Sequence, residues 1–247
     1  MVDLNCDLGE SFGRYQLGSD AALMPLITSA NIACGFHAGD PLVMQAILRL
    51  ALQHNLAPGA HPGWPDLQGF GRREMALSPA EAEAAVLYQI GALAAFARAE
   101  GVELTHVKPH GALYNQAARD PDLAAAVARA VQRFSRDLML VGLAGSHSLS
   151  AAAEIGLPAA AEAFPDRGYL PDGSLMLRSR PGAVLESPAE IAQNAVRLAS
   201  QGLQAGSQTW TIDTICLHGD HPRALENARA VRSALQSAGI AVARMRG

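Results

Sequence analysis

Short apolar runs alternate with amphipathic stretches from one end of the chain to the other. Residues 2–5 predict a first β-strand and residues 29–34 a second. Beyond the second, Asp40-Pro41 reads as a helix N-cap followed by proline at the first helical position. Leu42, Val43, Ala46, Ile47, Leu50 and Ala51 then recur at helical spacing. Residues 56–60 form a short third strand, and the connection from Pro62 to Leu77, rich in glycine, proline and charge, is long for a simple loop. Ser78-Pro79-Ala80-Glu81 has the form of a capping box. It opens a helix whose apolar face is Val86, Leu87, Ile90, Leu93, Ala94 and Ala97. A strand follows over 103–107 and a helix over about 120–134. Residues 138–143 are unbroken apolar, as suits a strand covered on both faces in a parallel sheet. Residues 159–163 predict another strand, and Ser187-Pro188-Ala189-Glu190 repeats the capping box ahead of a helix with Ile191, Ala195, Leu198 and Gly202 on one side. The last firm strand is 211–217, with a helix over about 222–237, and residues 240–243 are either an eighth strand or a tail.

This βα alternation, with right-handed crossovers, predicts an α/β fold with seven firm strands. Six motifs decide between a barrel and an open sheet, because each puts a histidine or carboxylate where a strand gives way to a loop. They are Asn5-Cys6-Asp7-Leu8-Gly9-Glu10, the stretch from Ala33 to Asp40 around His37, Gly59-Ala60-His61-Pro62-Gly63, Lys108-Pro109-His110-Gly111, Ala161-Glu162-Ala163 and Leu217-His218-Gly219-Asp220. Asp7, His37 and His61 are 30 and 24 residues apart, about one strand-plus-helix unit each time. Reactive groups at the same end of successive units converge on one mouth of a barrel, whereas an open sheet gathers its site at one crevice. The expectation is an enzyme built as a single (β/α) barrel domain over residues 1–247. No Gly-x-Gly-x-x-Gly follows a strand and no Walker-type phosphate loop occurs.

Composition narrows the class. With 49% apolar and 17% charged residues the chain can bury a full core. A net charge of −4 without clustered Lys/Arg leaves no footprint for nucleic acid. No basic and apolar leader opens the sequence, and no apolar run reaches about 18 residues, so the expectation is a cytoplasmic protein without a membrane span. Cys6, Cys34 and Cys216 are too few and too far apart for a disulfide framework. Lacking CxxC spacing, they read as buried apolar residues rather than metal ligands.

Each candidate has a plainer alternative beside it. Asn5 and Asp7 share one face of a strand, so amide and carboxylate enter the mouth together; otherwise Asp7 is a turn residue bonding its own backbone. Glu10 lies further into that loop. His37 sits between glycines that allow a ligand close to the backbone, or it simply bonds a carbonyl. Asp40 has ordinary capping as its alternative, and so does Asp220 in Asp220-His221-Pro222. Lys108 ends a β run ahead of Pro109-His110, where its ammonium is drawn to the mouth, and a buried ammonium is costly unless paired. There it can hold negative charge on a substrate. Tyr114 and Asn115, one turn on, can point back toward it. Arg72-Arg73 is either a solvated loop charge or an anion clamp near His61. Glu162, in a small apolar strand, needs a partner if it faces inward.

At these motifs, and at Asn31–Pro41, Gly69–Arg73 and 166–180, the chain resembles the lactam-utilisation family, which supplies the A subunit of the ATP-dependent bacterial 5-oxoprolinase. The resemblance covers essentially the whole chain. It implies a distorted seven-stranded (β/α) barrel of the glycoside hydrolase/deacetylase type. It also implies the reaction 5-oxo-L-proline + ATP + 2 H2O → L-glutamate + ADP + phosphate, shared with subunits B and C. Asp7, His37, His61, Lys108 and His110 are the implied catalytic residues. Asn5, Glu10, Asn31, Asp40, Arg72, Tyr114, Asn115, Glu162, His218 and Asp220 are the implied substrate contacts. A five-membered lactam is a stabilised amide, so phosphorylating its oxygen makes it a better electrophile for water, given a general base and a cationic oxyanion site. Without a phosphate loop here, ATP chemistry falls wholly or in part to the partners. The alternative is a stand-alone metal-dependent hydrolase or deacetylase acting on an amide or other C–N bond, with Asp7, His37 and His61 as first ligands to a divalent metal. A third reading is a non-catalytic subunit that only holds the small acid. The sequence leaves homo-oligomerisation open.

Overall fold

The computed structural model describes residues 1–219 and 223–245. In chain order its elements are β1 Asp3–Leu8, α1 Asp20–Leu23, β2 Ser29–Ala33, α2 Pro41–Gln53, β3 Ala57–His61, α3 Pro79–Ala99, β4 His106–Val107, α4 Gly111–Arg119, α5 Pro121–Phe134, β5 Met139–Leu143, α6 His147–Glu154, β6 Ala159–Ala163, α7 Pro188–Gln201, β7 Leu203–Ala205, β8 Gln208–Trp210, β9 Thr214–Leu217 and α8 Ala224–Ser237. Seven parallel strands close into a barrel in the order β1-β2-β3-β4-β5-β6-β9, with β9 pairing back onto β1. The seven strands are those expected, six of them at shifted bounds. β4 is reduced to His106–Val107, β1 runs on to Leu8 and β9 starts at Thr214. Residues 240–243 are a tail, tied on by the single bridge Val2–Val242. No helix among the described residues is long and apolar enough to cross a membrane.

Local chemistry accounts for the helix starts. The Asp40 side chain accepts from the Leu42 and Val43 amides and caps α2. Ser78 and Glu81 make both halves of the capping box on α3. Ser187 makes no side-chain cap, so the second box predicts the start of α7 without its hydrogen bonds. Three short helices, α1, α4 and α6, and the antiparallel hairpin β7–β8 lay outside the expected elements. Nine- and eight-residue helices span too few turns to print a period.

The strands sort their side chains between two cores. Leu4, Cys6, Leu8, Ala30, Ile32, Ala60, Val107, Leu140, Ile215 and Leu217 join one large apolar cluster with the helices. Residues of the other parity face the barrel axis. On the β5 side these are apolar, with Met139, Val141 and Ala160 forming a separate small cluster. Elsewhere the interior is polar and hydrogen-bonded: Asp3 accepts from Thr28, Ser29 and Thr214, and Asn31 donates to Asn5 (2.7 Å) and Asp7 (2.8 Å). His106 Nε2 donates to Asn31 Oδ1 at 2.8 Å. Most buried polar groups in folded proteins are bonded in this way. Gly59, opposite His106 in the register, makes room for the ring: a Cβ there would overlap the imidazole.

Two outcomes follow from this interior. Gly59→Ala forces His106 or the β3 backbone to move and is expected to cost about 1–3 kcal/mol of stability, read as a lower urea midpoint. Unchanged stability would mean that the ring is not held against β3. The second outcome concerns protonation. Burial first, and then the Lys108 charge, push His106 down to about 3 from its ordinary 6.5. The unfolded chain therefore binds a proton below 6.5 that the folded chain refuses. His106 contributes fully above that pH and its contribution is lost as pH falls toward 3. Between about pH 5 and 6, the slope of unfolding free energy against pH should be shallower in His106→Asn by up to about 1.4 kcal/mol per unit. Equal slopes would show that His106 titrates alike in both states.

Candidate active site

Lys108 follows β4 directly and is 2% exposed. Its parity matches that of His106, so its stem enters the barrel and its ammonium reaches the axis. There Nζ lies 2.9 Å from Asp7 Oδ1, 3.0 Å from Glu162 Oε1, 3.1 Å from Asn5 Oδ1 and 3.0 Å from Cys216 Sγ. Asn5 also donates to Glu162 at 2.8 Å. Lys108 is the chain's only lysine; all other strong cations are arginines. A compact ammonium with three rotatable donors fits a ring of acceptors where a planar guanidinium would not. Burial opposes its charge, but Asp7, Cys216 and Glu162 outweigh burial, and its pKa rises well above the ordinary lysine value. Asp7 is the mirror case: burial raises it, while His61 and Lys108 carry it well below the carboxylate range. Both are charged at neutral pH.

Above this pair sit three histidines. His61 ends β3, His37 lies in the loop after β2, and His110 precedes α4. His61 Nδ1 donates to the Lys108 carbonyl at 2.6 Å and His110 Nε2 donates to the Phe70 carbonyl at 2.9 Å. Those two bonds set the tautomers, leaving His61 Nε2 and His110 Nδ1 facing one another at 3.0 Å. His61 Nε2 is also 3.3 Å from Asp7 Oδ2. His37 stacks flat on His110, ring centroids 3.7 Å apart and planes within 4°. Its two ring nitrogens are buried without hydrogen bonds. Burial first, then His110 and His61, hold His37 well below the usual histidine range, and burial and His61 push His110 down to about 3. Glu10 Oε1 reaches to 3.4 Å from His110 Nδ1 and 3.6 Å from His37 Nε2.

The long loop after β3 closes over these rings. Phe70 adopts φ 57°, a conformation that side chains rarely take, and this turns its carbonyl onto His110. Glycine is required beside it. A Cβ at Gly71 would stand 2.7 Å from His37 Cβ, and one at Gly63 would stand 2.6 Å from His37 Nδ1.

The five residues expected to be catalytic, Asp7, His37, His61, Lys108 and His110, thus come together at the C-terminal mouth, and Asn5, Glu10, Asn31 and Glu162 join them. Others go elsewhere. Arg73 is committed to an ion pair with Asp66 inside the loop, so the expected two-arginine clamp reduces to Arg72, which lies over the Phe70 ring at 5.0 Å. Tyr114 is buried beside Glu162, and burial and that carboxylate raise its phenol well above its ordinary value. Asn115 is exposed, because neighbours on a helix point about 100° apart and only one of the two can face in. Asp40 is spent on the α2 cap and on the Gly13 amide. His218 bonds Asp166 at 2.7 Å and stacks on Phe164, whose ring also faces Lys108 Nζ at 5.4 Å. Asp220 lies outside the described residues. Of the metal trio expected from sequence, Asp7 is held by Lys108 and Asn31. The donor atoms within 4.8 Å of one another belong instead to Glu10, His37, His61 and His110.

Three participants escaped the sequence reading. His106 was legible from its two-residue offset to Lys108. Cys216 is buried, as expected of all three free cysteines, yet it also touches Lys108. Asp166 lies 52 residues from His218 and nothing local links them.

Known proteins resemble this chain in sequence and in fold. A model of the LamB/YcsF family matches residues 2–247. The A subunit of the Pyrococcus horikoshii 5-oxoprolinase is 53% identical over 249 residues, covering 99% of this chain and 98% of that protein. The crystal structure of a lactam utilization protein from Thermus thermophilus superposes with a TM-score of 0.91 at 51% identity, covering 98% of each chain. A family 39 glycoside hydrolase from Bacteroides cellulosilyticus WH2 superposes at 0.51 with 14% identity, over 95% of this chain and 64% of that one, a likeness of fold alone.

Proposed function

The chain belongs to the LamB/YcsF family, and from that premise we propose that it acts as the A subunit of an ATP-dependent 5-oxoprolinase, opening the lactam of 5-oxo-L-proline to L-glutamate together with subunits B and C. The observation that carries this reading is the match along the full length, at 53% identity, to a protein of that name. The chemistry of the mouth supports it. Ring opening needs water delivered to an activated lactam carbon, a group to take its proton and positive charge near the oxygen. His37 is the base we assign: it is buried, held neutral and without hydrogen bonds on either nitrogen. Asp7, half-buried with 15% of its side chain exposed, is the charged face that the network presents to the mouth.

Lys108 acts from beneath. Its ammonium is enclosed by protein acceptors, so it works through Asp7 and the local field rather than by gripping the substrate, as the sequence alone had suggested. Arg72, at the rim over Phe70, is the cation placed to meet the substrate carboxylate. The sequence contains no phosphate-binding loop, and we assign ATP use to the partner subunits, in the cytoplasm where ATP is held.

Two outcomes test this reading. The purified chain alone, given 5-oxoproline and ATP, should release neither glutamate nor ADP; stoichiometric release of both, free of contaminating subunits, would refute the division of labour. In the second, Lys108→Met leaves Asp7 and Glu162 buried without their cation, and stability should fall by about 3–5 kcal/mol. Adding Glu162→Gln should restore part of the melting temperature but none of the activity. Glutamate formation by either variant, reconstituted with its partners, should drop on the order of 10²-fold or more. A folded double variant turning over at the normal rate would reduce Lys108 to a structural residue.

A further inference from the structure

We propose that Glu10, His61 and His110 hold a divalent transition-metal ion of the Zn²⁺ type at the mouth of the barrel, with one coordination position open toward His37. Three observations carry this. First, both histidines spend one ring nitrogen on a backbone carbonyl, His61 on Lys108 and His110 on Phe70. Metal-binding histidines are oriented by such a bond through the other ring nitrogen. Second, the remaining nitrogens face one another at 3.0 Å, each with a lone pair when neutral. Two acceptors at that distance repel unless something electron-poor lies between or beside them. Third, Glu10 Oε1 stands 3.4 Å from His110 Nδ1. Donors bound at about 2.0–2.1 Å around a tetrahedral ion are separated by about 3.4 Å, so the spacings suit one shared ion.

His37 is excluded as a ligand in this arrangement. Its ring is parallel to that of His110 at 3.7 Å. An ion between two stacked rings would lie far out of both planes, where neither nitrogen has a lone pair. His37 instead faces the fourth position with unpartnered nitrogens. Three protein ligands and an open position are the pattern of a catalytic rather than a structural site. Two imidazoles and one carboxylate favour a borderline ion over Mg²⁺ or Ca²⁺, which demand oxygen. Such an ion, when bound, lowers the pKa of water and polarises carbonyl oxygens. The proposal is independent of the choice of substrate, since binding requires neither lactam nor partner subunits.

The test uses the full chain without a histidine tag, stripped with chelator and titrated with Zn²⁺ or Co²⁺. Wild type should take up about one ion per chain and give a cobalt ligand-field spectrum. Glu10→Gln and His110→Gln should weaken binding on the order of 10²-fold or more, beyond the loss typical of groups that only orient a ligand. His37→Gln should keep the ion and its stoichiometry. Circular dichroism reports whether each variant is folded. If either ligand variant unfolds, X-ray absorption on wild type decides: two imidazoles at the ion are expected, and one or three overturn the assignment. A folded wild type that binds neither ion would overturn the proposal outright, leaving His61 and His110 to share a proton. So would unaltered affinity in the folded Glu10 and His110 variants. Either failure leaves the lactam reading to its own assay.

Discussion

A single ammonium inside a closed barrel organises this protein. Inside a closed seven-stranded barrel a buried polar group that points inward is matched by another from the wall. Lys108 meets that demand with contacts to β1, β6 and β9 at once, through Asp7 and Asn5, Glu162 and Cys216. Its position after the two-residue β4 is what sends it across the axis. Remove the cation and Asp7 and Glu162 both lose the charge that balances them; keep it and Asp7 stays charged at the mouth. Stability and site chemistry therefore share one interaction.

The histidines form the next layer and obey a different constraint, that of space. Their stack is possible because glycine stands wherever a Cβ would collide: Gly63 and Gly71 against His37, and Gly59 against the deeper His106. Phe70 bears backbone strain so that its carbonyl can orient His110. Strain and missing side chains both cost stability, and both are concentrated on the loop that covers the rings. The large apolar cluster between strands and helices supplies the stability that offsets them.

Much of this was legible along the chain. Alternation of strand-like and helix-like segments specified the α/β class, and reactive groups at the ends of successive strands favoured a barrel over an open sheet. The parity of Asn5 and Asp7 showed that both point one way, and the motif ends named most of the residues that meet at the mouth. Short helices were illegible: α1, α4 and α6 have too few residues for a period to emerge. So were roles that depend on direction around a helix, which is why Tyr114 turns inward and Asn115 outward.

What the sequence determined by itself was which residue types stand at the strand ends, and hence that one mouth would be rich in carboxylate, imidazole and one ammonium. Only the tertiary structure decided the pairings among them. Lys108 with Glu162, His110 with Phe70 and Glu10 with His110 are partners separated by 54, 40 and 100 positions. Barrel closure brings them together, and closure is a property of the whole sheet that no local pattern encodes. It also settled that Asp7 serves the lysine while Glu10 turns to the histidines: with Asn31 and Lys108 already bonded to the Asp7 carboxylate, the next acidic group along the loop is the one that reaches the rings.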